Sequence, residues 1–457
     1  MAGLNASLEI AKNALLNTQV QIQTSSHNIA NAENPNYTRQ KASTVTQGAV
    51  RERAGWVGMG ARLDHIVQQR DAFLESNLLG SLSSSSYYET MGRILETAET
   101  YLSDDGETGL SGSLNAFWNA WNALAQNPDG AAEKATVIEA GKNLASLLND
   151  TAADLDALQG NLKKDLEDSL QPVNTLLEKI RDLNLQIARA EGSGQTANDL
   201  RDQRYQAMKE LGQYVQFDTE EISGGAINIF LGDRTPLVVG TVYAAELEVQ
   251  DESAGYAVTI KDTGTVVGQL DTSDAANTLD RLGGSLGGLI ASASQVDEWQ
   301  DKLDDFAGAL VSTINGEYSP APPPPADPND YLFFTPSGTT ASTIAVTDHP
   351  LDDPPDPQDV LKWQTDNALS WDGESLSLGT YLNRLTQDVG LAVESAQGQH
   401  SFRDSLVTEL EAKRQSVSGV SIDEEMVELL KQQQLYQAAA KVVQTTSDMI
   451  QTAINMV

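Results

Sequence analysis

The two ends of this sequence carry the same device, and it narrows the possible folds more than any other feature. At the N-terminus Leu4, Leu8, Ala11, Leu15, Thr18, Ile22, Ser25 and Ile29 follow one another at alternating steps of four and three. Such spacing keeps one stripe of a helix facing a partner and defines a heptad seam, here thinned in its second half by small and hydroxyl residues. The helix is expected to run until Asn34-Pro35, because proline cannot continue the hydrogen-bond ladder and disfavours helix in the residue before it. At the C-terminus Ile422, Met426, Leu429, Gln433, Tyr436, Ala440, Val443, Ser447, Ile450, Ile454 and Val457 keep one register without Gly or Pro. Ser421, with Glu424 three residues on, predicts a capping box at its start. Chain ends usually fray, whereas both of these have an apolar stripe that needs cover. A coiled coil between the ends and a surface offered to neighbouring copies satisfy the pattern equally, because a seam does not name its partner.

Between the ends, 131–190 reads as another long helix. Leu144, Leu148, Thr151, Leu155, Leu158 and Leu162 form one stripe, and Val173, Leu177, Ile180 and Ile187 resume it beyond a kink expected at Pro172. A helix over 289–314 aligns Val296, Trp299, Leu303, Phe306 and Leu310. These stripes predict antiparallel helix packing. Over 214–270 the period falls to two, and segments 226–231, 236–239, 243–249, 256–260 and 265–267 predict strands separated by turns. Pro320 to Pro328 predicts a stiff linker, and 331–346 with the loop 349–358 a second, strand-poor lobe.

The expected fold class is mainly α with a small all-β domain: long terminal heptad helices forming a coiled coil, a helical-bundle middle domain and strand-rich outer lobes. The corresponding divisions are 1–32 with 422–457 for the terminal pair, and 33–212 with 276–318 and 373–421 for the helical middle. They continue with 213–275 for the β domain and 319–372 for the linker and irregular lobe.

Composition removes several functions. Cysteine is absent from the 457 residues, which excludes disulfides, thiolate metal ligands and cysteine nucleophiles. With 65 acidic against 29 basic residues the net charge is -36, so phosphate would be repelled over most of the surface. Neither nucleic acid nor an anionic membrane is an expected partner. Residues 1–79 hold seven Lys/Arg and six Asp/Glu, so nearly all the acidic excess lies further along, as suits packed ends and a solvated middle. No basic stretch followed by an unbroken apolar one opens the sequence, so any route out of the cell is expected to cleave nothing.

Residues 283–287 satisfy G-x-S-x-G, the elbow that exposes a nucleophilic serine between a strand and a helix. No strand is expected before Ser285, since 277–282 reads as polar and helix-like, and His349 and His400 downstream have no recognisable setting. A hinge before the helix at Leu289 is the better account. Asp348, Asp352, Asp353, Asp356 and Asp359 crowd one loop, but prolines 350, 354, 355 and 357 interrupt them and the glycine and glutamate of a calcium loop are missing. A solvated acidic loop is expected there. His27, His65, His349 and His400 lack zinc-site spacing. No cofactor, metal or catalytic residue is expected, and the chain does not read as an enzyme.

The segment Asn28-Ile29-Ala30-Asn31-Ala32-Glu33-Asn34-Pro35-Asn36-Tyr37 resembles the N-terminal signature of flagellar rod, hook and hook-associated proteins, with Asn36 where glycine is usual. Asparagine tolerates a left-handed backbone best among non-glycine residues, so the turn is expected to keep that conformation. Tyr37-Thr38-Arg39-Gln40, Val57-Gly58-Met59-Gly60 and Arg70-Asp71-Ala72-Phe73-Leu74 are similar to the hook-filament junction family within that group. So are 197–204, 236–240 and 284–289, while 419–426 with Gln433, Tyr436, Gln437 and Ala438 resembles the closing helix shared by axial proteins. The resemblance implies a structural subunit of the flagellum, exported unfolded and assembled as a short ring at the hook tip. Its implied partners are further copies of itself, hook protein, an adjoining hook-associated or filament junction protein and an export chaperone. It implies assembly contacts at Leu4, Leu8, Leu15, Ile22, Asn28, Ile29, Asn31, Pro35 and Tyr37, and at Ile422, Met426, Leu429, Tyr436, Val443, Ile450 and Ile454. A hook or distal rod protein is the alternative, against which the long helix over 131–190 speaks.

Overall fold

A computed structural model describes residues 2–52, 55–103, 109–192, 194–252, 255–271, 279–318, 332–348, 350–351 and 354–455. Val457, His349, Asp352, Asp353 and the proline-rich linker lie outside them. Helix α1 (Ala2–Ala30) is followed by strands β1 (Gln40–Thr46), β2 (Ala49–Glu52), β3 (Gly55–Gly58) and β4 (Ala61–Gln68). Helices α2 (Ala72–Leu102), α3 (Leu110–Gln126), α4 (Ala131–Glu191) and α5 (Asn198–Tyr214) come next. Eight short strands then run in sequence: β5 (Asp218–Glu221), β6 (Ile227–Phe230), β7 (Pro236–Val239), β8 (Tyr243–Ala244), β9 (Leu247–Glu252), β10 (Gly255–Ile260), β11 (Thr265–Asp271) and β12 (Leu279–Asp280). Helix α6 (Gly284–Gly316), the short α7 (Pro357–Leu361), the strands β13 (Leu369–Trp371) and β14 (Glu374–Leu376), and the long helices α8 (Leu378–Ser418) and α9 (Ile422–Asn455) complete the chain. The fold is mainly α with small antiparallel sheets, as the periodicities require. No described helix is long and apolar enough to cross a membrane.

The chain divides into two compact units. The first comprises Met1–Ser83, Val173–Glu246 and Arg403–Val457, the second Ser84–Pro172 and Leu247–Phe402. In the first, β1 pairs antiparallel with β4 and β2 with β3, giving a two-stranded ribbon, and β5-β6-β7-β8 form a four-stranded antiparallel sheet. In the second, β12-β11-β10-β9 form another four-stranded sheet, and β13 and β14 a hairpin. The single β domain expected over 213–275 is therefore two sheets in two units. The break falls between Glu246 and Leu247, inside the segment that read as one strand over 243–249.

The helical stripes fold as their spacing dictates. Leu144, Leu148, Leu155 and Leu162 on α4, and Val296, Trp299, Leu303, Phe306 and Leu310 on α6, are all buried. Helix α4 spans Ala131–Glu191 with Pro172 inside it. Flanking Leu170 and Val173 are buried, and their packing offsets the missing backbone bond.

The second unit also absorbs what read as an irregular outer lobe. Phe333 and Phe334 join Phe117, Trp118 and Trp121 of α3 in one aromatic cluster, with ring centroids 5.6 Å apart for Phe117 and Phe333 and 5.8 Å for Trp121 and Phe333. Asn149 Nδ2 donates to the Ala341 carbonyl at 2.7 Å, and Asn315 holds both the N–H and the carbonyl of Phe334. Adjacent aromatics at 333 and 334 mark this segment as core, which its flanking prolines and turns had masked.

The G-x-S-x-G segment opens a helix and is not a hinge before it. Strand β12 does precede it, against expectation, but Gly284 to Gly288 form the first turns of α6. Gly283 and Gly284 both sit at φ 58°, a left-handed conformation that favours glycine. At Gly288 a Cβ would lie 2.6 Å from the Tyr87 carbonyl oxygen, so that glycine permits close backbone approach. His400 Nδ1 is 3.3 Å from the Ser85 carbonyl rather than beside Ser285.

Candidate functional site

Helices α1 and α9 pair within the first unit. Gln21, Thr24 and Ser25 near the end of α1 line a groove with residues 423–431 at the start of α9, so the pair is antiparallel. Along α1 the expected seam faces inward: Ala11, Thr18 and Ser25 are buried, and Leu4, Leu8, Leu15, Ile22 and Ile29 half-buried.

On α9 the inward face keeps every second position of the expected seam and shifts the positions between them by one residue. Glu425, Gln432 and Thr446 are buried, and Leu429, Ala439, Val443, Ile450 and Ala453 half-buried, which traces the steps of four and three from Glu425. The sequence seam shares Leu429, Val443 and Ile450 with this face. Of its other members Ala440 is half-buried, while Ile422 is 46% exposed, Met426 52%, Ile454 58% and Tyr436 42%. The shift has a local cause. Arg39 donates from Nε to Glu425 at 2.7 Å and from Nη1 to Glu424 at 2.8 Å, which turns Glu425 inward although no sequence period asks for it. The capping box is accordingly half made: the Glu424 N–H lies 3.5 Å from Ser421 Oγ, while the Glu424 carboxylate goes to Arg39 instead of returning to the cap.

Helix α1 stops at Ala30, short of the proline, because polar side chains finish it. Asn31 Nδ2 donates to the His27 carbonyl at 2.9 Å. Asn28, fully buried, donates from Nδ2 to the Gln40 carbonyl and accepts at Oδ1 from the Gln40 N–H and the Tyr37 hydroxyl, at 2.9, 3.0 and 2.7 Å. With its proton on Asn28, the Tyr37 hydroxyl accepts from His27 Nδ1 at 3.1 Å. Burial, then Asp199 and Asp202, push the Tyr37 hydroxyl well above its ordinary pKa, so it stays a donor.

Residues 34–37 form a hydrogen-bonded turn, with the Tyr37 N–H on the Asn34 carbonyl at 3.1 Å. Asn34 Oδ1 also accepts from the Asn36 N–H at 3.1 Å. Asn36 is not left-handed, contrary to expectation: among described non-glycine residues only Arg234 and Asp372 have positive φ. Asparagine at the first position and proline at the second suit a type I turn, which needs no positive φ.

Two further elements grip this turn. From α8, Arg414 donates to the Pro35 carbonyl at 3.1 Å and lies over the Tyr205 ring at 5.0 Å, and the Ser418 carbonyl accepts from the Arg39 N–H at 2.9 Å. From α5, Asp202 accepts from the Thr38 N–H and from Gln68 Nε2, at 3.2 and 2.7 Å. Burial raises the Asp202 carboxyl to about 6, partly offset by hydrogen bonding from Thr38. Arg204 of α5, also buried, donates to Asn184 Oδ1 and the Gly225 carbonyl, both at 2.7 Å, and Asn184 in turn holds the carbonyls of Ile227 and Gly240.

The geometry thus brings Asn28, Asn31, Pro35 and Tyr37 into one polar node and leaves Ile422, Met426 and Ile454 outside the helix pair. Arg39, Asp202, Arg204 and Glu425 lie in segments that carry the family resemblance, with no contact assigned to them there, and Arg414 lies outside any such segment. Among the described residues no group of three or more His, Cys, Asp or Glu is placed to hold a metal.

A sequence model of the flagellar hook-associated protein FlgK helical domain matches residues 95–318, and one of the flagellar basal body rod FlgEFG protein C-terminal region matches 412–456. Flagellar hook-associated protein 1 of Bacillus subtilis is 27% identical over 98% of this chain and 97% of its own length. That of Escherichia coli is 23% identical over 100% and 98%, and that of Salmonella typhimurium 27% over 70% and 55%. The flagellar hook junction protein FlgK from Burkholderia pseudomallei aligns over 53% of this chain and 43% of its own, with a TM-score of 0.46 and 23% identity. Paired terminal helices, a helical middle and the sequence matches to flagellar hook-associated and rod proteins define a flagellar structural protein. The chain belongs to the flagellar hook-associated protein 1 (FlgK) family.

Proposed function

We propose that this chain is a structural subunit that joins hook to filament in the bacterial flagellum, without catalytic activity. The observation that carries the reading is the two-sided character of α9: one face is occupied by α1, while Ile422, Met426, Val427, Leu430, Leu435, Val442, Met449 and Ile454 remain exposed. Scattered apolar residues on a surface are ordinary, but eight of them spread over the uncovered surface of one 34-residue helix suit contact with further protein. The names of the relatives, hook-associated protein 1 and hook junction protein, agree with this reading.

On this reading the chain leaves the cell unfolded, with no signal segment cleaved, and acts outside it at the hook tip. Copies form a short ring through their terminal helices and meet hook protein on one side and an adjoining hook-associated or filament junction protein on the other. An export chaperone would shield the apolar face of α9 beforehand. The test is a strain lacking this chain. It should build hooks without filaments and shed flagellin into the medium, and the intact gene should restore attachment. Normal filaments in the deletion strain would overturn the proposal.

A further inference from the structure

The ribbon formed by β1 to β4 has a fixed foot and an uncovered tip. At the foot, Asn28 holds both backbone groups of Gln40, and Gln68 bonds Asp202. Halfway along, Asn17 donates to the Ala61 carbonyl at 2.8 Å and accepts from the Leu63 N–H at 2.8 Å. Among the described residues the outermost hydrogen bond from α1 is Asn13 to Gln47 at 3.0 Å, and Ile10 lies beside Gly60.

Beyond it β2 and β3 pair only with each other, with Val50 opposite Val57 and Arg51 opposite Trp56. Directly opposed residues of an antiparallel pair share a face, so one face of the tip carries two valines and the other a tryptophan beside an arginine. Trp56 is 72% exposed and Val50 52%. An isolated two-stranded ribbon is marginal in water, and tryptophan and arginine are the side chains that most often dominate protein interfaces.

Charge identifies the occupant. Residues 49–58 contain Arg51 and Arg53 against Glu52, a net +1 in a chain whose total is -36. A basic tip on an acidic body is complementary to another body like its own, and such complementarity sets both encounter rate and register.

We propose that the tip of this ribbon docks onto a second copy of the chain, with Trp56 as the apolar anchor and Arg51 as its charged neighbour. The proposal rests on the junction reading above and adds to the terminal-helix contacts a separate contact made by the ribbon. Its preformed foot lowers the ordering cost of docking.

The test places a photoactivatable benzoyl-phenylalanine at position 56 of the full-length chain, expressed in the deletion strain. Isolated flagella are irradiated and crosslinked peptides identified by mass spectrometry. Peptides joining position 56 to a second copy are expected. The Arg51→Glu change in the same background should cut their yield several-fold while circular dichroism of the purified chain stays unchanged. If junctions contain the chain but position 56 joins hook protein, another junction protein or nothing, the ribbon proposal is wrong and the junction reading stands. If isolated junctions lack the chain, the junction reading fails and this proposal falls with it.

Discussion

Arg39 Nε donates to Glu425 at 2.7 Å, and the side chain of Glu425 is only 4% exposed. The bond joins the foot of the ribbon to the first turn of α9 across 386 residues of sequence. It fixes which side of α9 faces α1, and so which apolar residues remain outside. Its neighbour, the Arg39–Glu424 pair, has an exposed carboxylate and adds little by itself.

Arg39→Ala should therefore destabilise the first unit by about 3 kcal/mol, at the lower end for a broken buried pair, because the buried Glu425 side chain loses its partner. Arg39→Ala with Glu425→Ala should be less damaging than the single change. Urea unfolding of the four proteins of that cycle checks the coupling. Additive effects would show that the bond does not hold the register.

Two aspartate substitutions on α9 separate folding from assembly. Met426→Asp, on the exposed side, should change the stability of the isolated chain by no more than about 0.5 kcal/mol yet prevent filament attachment. Val443→Asp places a charge in the seam against α1 and should lower stability by about 2–4 kcal/mol. Thermal unfolding, followed by electron microscopy of flagella after export has been verified, distinguishes them. Normal motility with Met426→Asp would remove that residue from the assembly surface.

Asp202 gives the first unit a pH dependence of defined sign. Its carboxyl is raised from 3.8 to about 6 in the folded chain. Between these values the folded state holds a proton that the unfolded state has released, so stability falls as pH rises from about 4 to about 6 and the deficit persists above that. The shift corresponds to about 3 kcal/mol. Asp202→Asn should flatten the slope of unfolding free energy against pH between 4 and 7, measured in urea. An unchanged slope would assign the titration to another group.

Gly288→Ala should cost about 1–3 kcal/mol, since its Cβ would press on the Tyr87 carbonyl and force α6 to shift. Ser285→Ala, in the first turn of the same helix, should be nearly neutral, and neither protein should act on ester probes. Denaturant midpoints and a chromogenic ester assay measure both. A loss of hydrolysis in Ser285→Ala would restore the nucleophile reading.

Phe333→Ala should destabilise the second unit by about 3–5 kcal/mol, as expected for emptying an aromatic core site. The cluster with Phe117 and Trp121 makes this segment indispensable to the helical unit rather than a removable lobe. Tryptophan fluorescence through a urea titration follows the loss directly. A midpoint unchanged from the parent chain would return the segment to the periphery.

What the sequence determined by itself is local and periodic. Steps of four and three specified α1, α4, α6 and α9, because burial at those intervals is possible only on a helix. The motif 28–37 specified a helix end and a turn. Period two specified most of the strands in 214–270, though not their partners, since alternation fixes a face and leaves pairing open. The tertiary structure decided the rest. It divided the strands between two sheets and drew Phe333 and Phe334 onto α3. It also shifted every second position of the α9 seam by one residue, because Glu425 meets Arg39. In a heptad of mixed apolar and polar residues two adjacent stripes have similar hydrophobicity, and a single buried ion pair from a distant segment is enough to choose between them. The polar node at Asn28, Pro35 and Tyr37 was legible as a motif. Its other half, Asp202 and Arg414, came from helices far along the chain, and no local pattern could assign those residues to it.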